Sequence, residues 1–341
     1  MPSDTAPPTN RQYAAGTMVA VVEADGATLQ HVLATTPPAA RRGLSRAAFI
    51  KHDAAQARTV WALRHRRRFA LVASGDVLAS AERYDLTGSI DGQLVTICGI
   101  AAVPNREADD GGGASVAALE TELLEQATRA GVDLALLFRT SSSSPPAADG
   151  FEVLPTTEVE LTVAEPARRG APMVLVRGGE NRDLDAIAAM GRVRASQYRF
   201  HLDRDVDLIA HGITRTRLLA GLAPPGVRRL EFVVAEEGIT AAAYLVMSVV
   251  DGGWTIEECG DRDVTGARVG ALLQALIARE PAESRPIIRG WLPPGFVPPQ
   301  VTIAAAPAAA RPWLLVRALS SRVQGLPWSS PDVLYWLNDM Y

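Results

Sequence analysis

One order of elements can be read twice along this chain, and that constrains the fold more than any single motif does. In the first half, TMVAVVE (17–23) reads as a strand. Residues 44–68 carry helical periodicity, with Phe49, Ile50, Val60, Trp61 and Leu63 apolar among polar neighbours. RFALVASG and DVLASAERYDL read as two strands turned at Gly75-Asp76. QLVTICGIAAV (93–103) is a continuous apolar run, as expected of a strand covered on both faces. Three glycines then open a helix on which Val116, Leu119, Leu123, Leu124 and Ala127 recur at helical spacing. DLALLF (133–138) is another buried strand, SSSSPPAADGF a loop, and TEVELTV (157–163) a last strand.

The order restarts after AEPARRGA (164–171), which reads as a linker. PMVLVR is a strand, and Asn181 can cap the helix RDLDAIAAM, with Asp183 or Asp185 in its first turn. LEFVVAEEG and TAAAYLVMSVV form a hairpin at Glu237-Gly238. WTIEECG (a strand), VGALLQALIARE (a helix) and PIIRGWL (a strand) complete the set. The repeat is one of architecture and not of sequence. It predicts two α/β domains, 17–165 and 172–341, after a disordered tail at 1–16 rich in Pro, Ser and Thr.

The 341 residues, 48% hydrophobic and 21% charged, leave enough apolar material for two cores. With a net charge of -4 and no basic stripe beyond Arg64 and Arg66–Arg68, nucleic acid is not an expected partner. Cys98 and Cys259 both sit in strand-like runs and are expected to be buried free thiols. His31, His52, His65, His201 and His211 share no ligand spacing, so no metal is expected. No apolar stretch is long enough to span a bilayer and the first residues do not read as a signal peptide. The expectation is a soluble cytoplasmic protein, with homo-oligomerisation left open.

Glycine costs backbone entropy where a helix starts, so Gly111, Gly112 and Gly113 call for a reason. One reason is close approach of a phosphate to the helix N-terminus; the other is a plain loop that precedes a helix. The element order together with this loop resembles the GNAT acetyltransferases. Their R/Q-x-x-G-x-G/A loop holds the pyrophosphate of acetyl-CoA, and Gly112 and Ala114 match its last two fixed positions. Gly150-Phe151 is similar to the family's late GF signature. The second half, with Arg262 and Gly266, resembles a more divergent copy, as in the tandem bacterial proteins of Eis type. The resemblance implies two tandem GNAT-like domains, each a mixed, mostly antiparallel central sheet flanked by helices. It also implies acetyl-CoA as co-substrate, held by Ala102, Val103, Gly111, Gly112, Gly113, Ala114 and Ser115, and a small-molecule amine as acceptor.

Two departures from that pattern matter. Asp109 stands where the family has its arginine, followed by Asp110, which can cap the helix. The loop after 133–138 has no tyrosine to protonate a thiolate. Acyl transfer to an amine needs a base and an acid. The candidates are Glu82 and Tyr84, next to Asp85 on the third strand, and Glu257 and Glu258, where strict alternation would turn one towards the cleft and the other away. Each can equally be a solvated or structural residue. The tail GLPWSSPDVLYWLNDMY gathers Trp328, Tyr335, Trp336 and Tyr341, which is unusual for a frayed end, so it is expected to dock. The resemblance makes the Tyr341 carboxylate a further candidate base. Two readings follow: an acetyl-CoA-dependent N-acetyltransferase, or a catalytically degenerate tandem GNAT-like protein that binds a ligand or partner.

Overall fold

The computed structural model describes residues 10–12, 18–105, 112–141, 150–154, 158–164, 175–281, 283, 285–305 and 311–339. The first half runs β1 (Asn10–Gln12), β2 (Met18–Glu23), α1 (Gly26–Thr35), α2 (Arg46–Gln56), α3 (Val60–His65), β3 (Arg66–Ala73), β4 (Asp76–Ile90) and β5 (Gln93–Pro104). It continues with α4 (Gly112–Arg129), β6 (Leu134–Ser141), β7 (Glu152–Leu154) and β8 (Glu158–Val163). The second half runs β9 (Leu175–Gly178), α5 (Leu184–Ala195), β10 (Phe200–Leu202), α6 (Val206–Leu222), β11 (Arg228–Glu237), β12 (Thr240–Val250) and β13 (Gly253–Asp261). It ends with α7 (Ala267–Ile277), β14 (Ile288–Trp291), β15 (Val301–Ala305), β16 (Arg311–Ala318) and β17 (Val333–Leu334).

Two mixed, mostly antiparallel sheets result, as expected. The first has the order β1-β2-β3-β4-β5-β6-β16-β7, with β10 on β4 and β17 on β10; the second has the order β15-β8-β14-β13-β12-β11-β9. The sheets do not follow the division at the linker. β8, at the end of the first half, lies between β14 and β15 of the second sheet, and β16 lies between β6 and β7 of the first. The first half thus gives its last strand, β8, to the second sheet, and the second half gives β10, β16 and β17 to the first. Strand partners are chosen by long-range pairing that no local pattern encodes. Asn10–Gln12, expected within the disordered tail, pair with Met18–Ala20 instead.

Turn chemistry fixes the matching hairpins. Asp91-Gly92 joins β4 to β5 and Asp251-Gly252 joins β12 to β13, all four residues at positive φ (51°, 75°, 49° and 81°). That is the turn that suits a two-residue hairpin. It lets β4 run through to Ile90, beyond the Leu86 expected from the sequence. Asn181 does not cap α5 by its side chain: a short 3-10 turn over Asn181–Asp183 precedes the helix, and the Asp183 carboxylate accepts the Glu180 N–H at 2.8 Å.

Helix α4 covers one face of the first sheet, packing Leu119 and Leu123 on Cys98, Ile100 and Leu137. Helix α7 covers the second sheet, with Leu272 and Leu273 in a core that includes Leu245 and Ile256. Helix α6 is shared. Leu208 enters the core on the inner face of the first sheet, while Ile209 and Ile213 enter the core on Val234 and Val246 of the second. Residues 206–222 pass unread in the sequence because buried polar groups (His211, Arg215, Thr216) interrupt their apolar periodicity.

The aromatic tail docks as expected. Tyr335 and Trp336 are buried, one in the core of the first sheet and the next in that of the second. Each such ring is worth about 1.5–3 kcal/mol. The tail passes so close to α6 that a Cβ on Gly212 would lie 2.5 Å from the Asn338 amide nitrogen. Tyr341 lies outside the described residues.

Candidate active site

In each sheet a pair of parallel neighbours joined through a helix parts part-way along. β5 and β6 pair only over Ile97–Ile100 and Leu134–Leu137, so Ala101–Pro104 and Phe138–Ser141 diverge. β13 and β14 pair only over Trp254–Ile256 and Ile288–Gly290. The two gaps have different fates. In the second half, the Asp261 carboxylate accepts the N–H groups of Arg268 (2.8 Å) and Val269 (3.3 Å), so the first turn of α7 already holds an anion from its own chain. Phe296 and Pro298 crowd Gly266, and Gln300 crowds Gly270, leaving no room for a Cβ at either glycine.

In the first half, Gly113 and Ala114 at the start of α4 are exposed, and among the described residues nothing lies within 4 Å of where a Gly113 Cβ would be. Ser115, Ala102 and Val103 are half-buried. Ala102 and Val103 pair on one side with Ala81 and Ser80 of β4 and have no strand partner on the other among the described residues. An open helix start beside an unpaired strand edge can take an anion and an amide-bearing chain together. Gly112 is the first residue of α4, whereas Gly111, Asp109 and Asp110 lie outside the described residues.

The inner face of the first sheet carries charge beside this gap. Glu82 pairs in register with Ala101, where β5 begins to diverge. It accepts hydrogen bonds from Arg66, Arg68 and Tyr84, and both arginines also reach Asp53 of α2. Burial pushes the Glu82 carboxyl up, but Arg66 and Arg68 outweigh it and hold the group well below the usual carboxylate range. Burial, then the Glu82 charge, pushes the Tyr84 phenol well up. Glu82 is therefore a saturated carboxylate and Tyr84 its donor, an arrangement that braces β3, β4 and α2. Asp85 lies further along β4, 3.0 Å from Arg83 in an ion pair. Towards α6, the His211 Nδ1 lies 2.7 Å from the Thr59 hydroxyl. Burial first, and then Arg215 and Arg66, lower its pKa to about 3, so the ring is neutral.

Glu257 and Glu258 depart from simple alternation. β12 and β13 slip register at Val246/Met247, where Val246 faces Glu258 and Met247 faces Ile256. Glu257 is the extra residue of a β-bulge, and a bulge re-aims side chains. Both glutamates consequently sit on the α6 side of the sheet, and the expectation that they point apart does not hold. Glu258 is fully buried, bound by Arg204 and by the Asn338 amide at 2.6 Å. Arg204 also holds Asp339, 2.7 Å away. Burial pushes the Asp339 carboxyl up to about 6, Arg204 opposing it. Glu258 thus anchors the tail.

Glu257 instead lines a cavity of about 310 Å³ between α6, β12 and β13, with Arg42, Arg215 and the tail residue Leu337 among its walls. Its carboxylate accepts a hydrogen bond from Ser248. Burial raises its pKa, and the Ser248 bond and the Arg215 charge only partly offset this. Leu337 also packs on the core of the first sheet, as do Ala101 and Phe138. At the open end of β6, Phe138 meets Tyr335 (ring centroids 5.4 Å apart) and Trp291 (6.5 Å).

The structure therefore brings Glu82, Tyr84, Glu257 and the tail around α6. It adds Arg215, whose guanidinium donates to the Asn338 carbonyl at 2.9 Å, together with Asp53, Arg66, Arg204 and Asp339, all missed in the sequence. The one available signal was the polar set His211, Arg215 and Thr216 inside an otherwise apolar helix. Among the described residues no cluster could hold a metal, and no helix is long and apolar enough to cross a membrane.

No protein-family model and no curated protein matches this sequence. Solved structures match it in fold. A GCN5-related N-acetyltransferase from Kribbella flavida is 18% identical, with a TM-score of 0.59 over 90% of this chain and 72% of that one. A GCN5-related N-acetyltransferase from Anabaena variabilis is 12% identical, with a TM-score of 0.59 over 89% and 73%. N-myristoyltransferase from Saccharomyces cerevisiae, solved with bound myristoyl-CoA, is 9% identical, with a TM-score of 0.52 over 92% and 85%. The chain has a GNAT-like fold in two units, and at these identities the likeness is one of fold.

Proposed function

We propose that the protein is an N-acyltransferase that moves an acyl group, acetyl in the first instance, from coenzyme A to a small amine. The observation that carries this reading is the contrast between the two helix starts: among the described residues nothing crowds Gly113 at the start of α4, while Asp261, Phe296 and Gln300 occupy the start of α7. Gly113, Ala114 and Ser115 would receive the pyrophosphate, and the free edge at Ala102 and Val103 the pantetheine arm. The amine would enter by the cavity on the far side of Leu337.

Glu257 is the base in this scheme. Its carboxylate takes a proton from the ammonium, and the freed nitrogen attacks the thioester carbonyl. The C–N bond forms and the C–S bond breaks; the second proton lost by the nitrogen passes to the sulfur, so the coenzyme leaves as its thiol, and Glu257 returns its own proton to solvent. A buried carboxylate with a raised pKa suits that role better than Glu82, which two guanidiniums keep ionised. The saturation of Glu82 and Tyr84 is also what a degenerate, ligand-binding GNAT-like protein would show.

Thiol release from acetyl-CoA over a panel of amines separates the two readings. Turnover that Glu257→Gln lowers by about 10²–10⁴ supports the enzyme with Glu257 as base. Coenzyme A binding without turnover on any amine supports the degenerate protein. The rival base is the Tyr341 carboxylate. One glycine appended after Tyr341 moves that charge, and intact turnover in the extended chain leaves the role with Glu257.

A further inference from the structure

The cavity beside Glu257 has an unbalanced wall. Four arginines are among its lining residues, Arg42, Arg215, Arg228 and Arg229, with two glutamates, Glu158 and Glu257. The Arg229 guanidinium is neutralised by Glu231 at 3.0 Å and Glu280 at 2.7 Å, neither of them a lining residue. Arg228 donates to the backbone carbonyl of Arg42 at 2.7 Å. Among the described residues, neither the Arg42 nor the Arg228 guanidinium has a carboxylate partner. Burial, followed by the charge of Arg42, lowers the pKa of Arg215, as expected where cations face one another. A concave surface with an excess of one sign concentrates ligands of the other, and guanidinium forks match carboxylate and phosphate oxygens. Glu257 and Ser248, on the same cavity, present acceptors to an ammonium.

Resting on the acyl-transfer reading, we propose that the acceptor is an amine that also carries an anionic group, carboxylate or phosphate, and is about the size of an amino acid. The anionic end meets Arg42 and Arg228, and the amino end meets Glu257. At about 310 Å³ the cavity is at the small end of ligand sites, which fits one such molecule. A polyamine or other polycation would set its charges against the guanidiniums.

Binding to the full-length chain without coenzyme A tests this by calorimetry. The probes are amino acids and their carboxamides, O-phosphoethanolamine with ethanolamine as its control, and spermidine. The expected result is that an amino acid or the phosphate binds, and that its uncharged-end control binds at least about tenfold more weakly, or about 1.4 kcal/mol. Which arm binds identifies carboxylate or phosphate. Arg42→Gln and Arg228→Gln should each weaken the anionic probe about tenfold with the melting temperature unchanged. Equal binding of the carboxamide, preference for spermidine, binding by neither anionic arm, or unchanged affinity in both variants overturns the proposal. Coenzyme A is titrated separately. Anionic-amine binding without coenzyme A binding sinks the acyl-transfer reading and leaves the acceptor site standing; the reverse sinks the acceptor site alone.

Discussion

Glu257 and Glu258 are neighbours with the same side chain, and one bulge gives them opposite environments. Glu258 is locked between Arg204 and Asn338, and Glu257 faces a cavity with a raised pKa. Were Glu257 the base, kcat/KM would fall on acidification through a pKa above the ordinary carboxylate range, and Glu257→Gln would remove that limb; a pH–rate profile reads it. Asp339 gives a separate prediction for stability. Its folded pKa of about 6 lies above its ordinary 3.8, so the folded chain binds the proton more tightly. Its contribution grows as pH falls from above 6 towards 4, by up to about 1.4 kcal/mol per pKa unit. His52 and His211 act in the opposite sense. Burial, then Arg42 for His52 and Arg215 for His211, hold them at about 4 and about 3, so they cost stability once pH falls below the ordinary 6.5. Asp339→Asn removes the compensating contribution together with the Arg204 ion pair. Its melting temperature should fall more steeply than the wild type's between pH 7 and pH 5, and parallel curves would contradict the assignment.

At the level of elements, the hairpins, the glycine-led helices and the docked tail were legible because each rests on local chemistry: turn residues, period and aromatic density. Three things were not. The register slip that places Glu257 depends on β12 as much as on β13. The exchange of β8 and β16 depends on partners more than a hundred residues away. Helix α6 hid because its buried polar residues His211, Arg215 and Thr216 break its pattern. The same cause kept half of the site out of view, since Arg204, Arg215 and Asp339 mean little until α6, β13 and the tail meet. Gly212 measures that meeting. Gly212→Ala drives a methyl into Asn338, with an expected cost of about 1–3 kcal/mol in denaturant unfolding. Adding Asn338→Ala should recover part of it, because residues in contact do not add independently. Strict additivity would mean that the tail does not lie against α6.

As a whole, the molecule is a duplicated architecture whose copies are interlocked and unequal. Without β8, the second sheet loses the strand between β14 and β15; without β16, the first loses the strand between β6 and β7. Chains cut within 165–171 should therefore aggregate when produced singly and form a stable complex when produced together, as read by size-exclusion chromatography. The copies are unequal at their helix starts: Asp261 of β13 accepts the first N–H groups of α7, while among the described residues nothing crowds Gly113 at the start of α4. Calorimetric titration of the full-length chain with coenzyme A tests this inequality most directly. One site per chain is expected, with a stabilisation of about 2.7 kcal/mol at a hundredfold excess over Kd. Two sites per chain, or no binding at all, would contradict it.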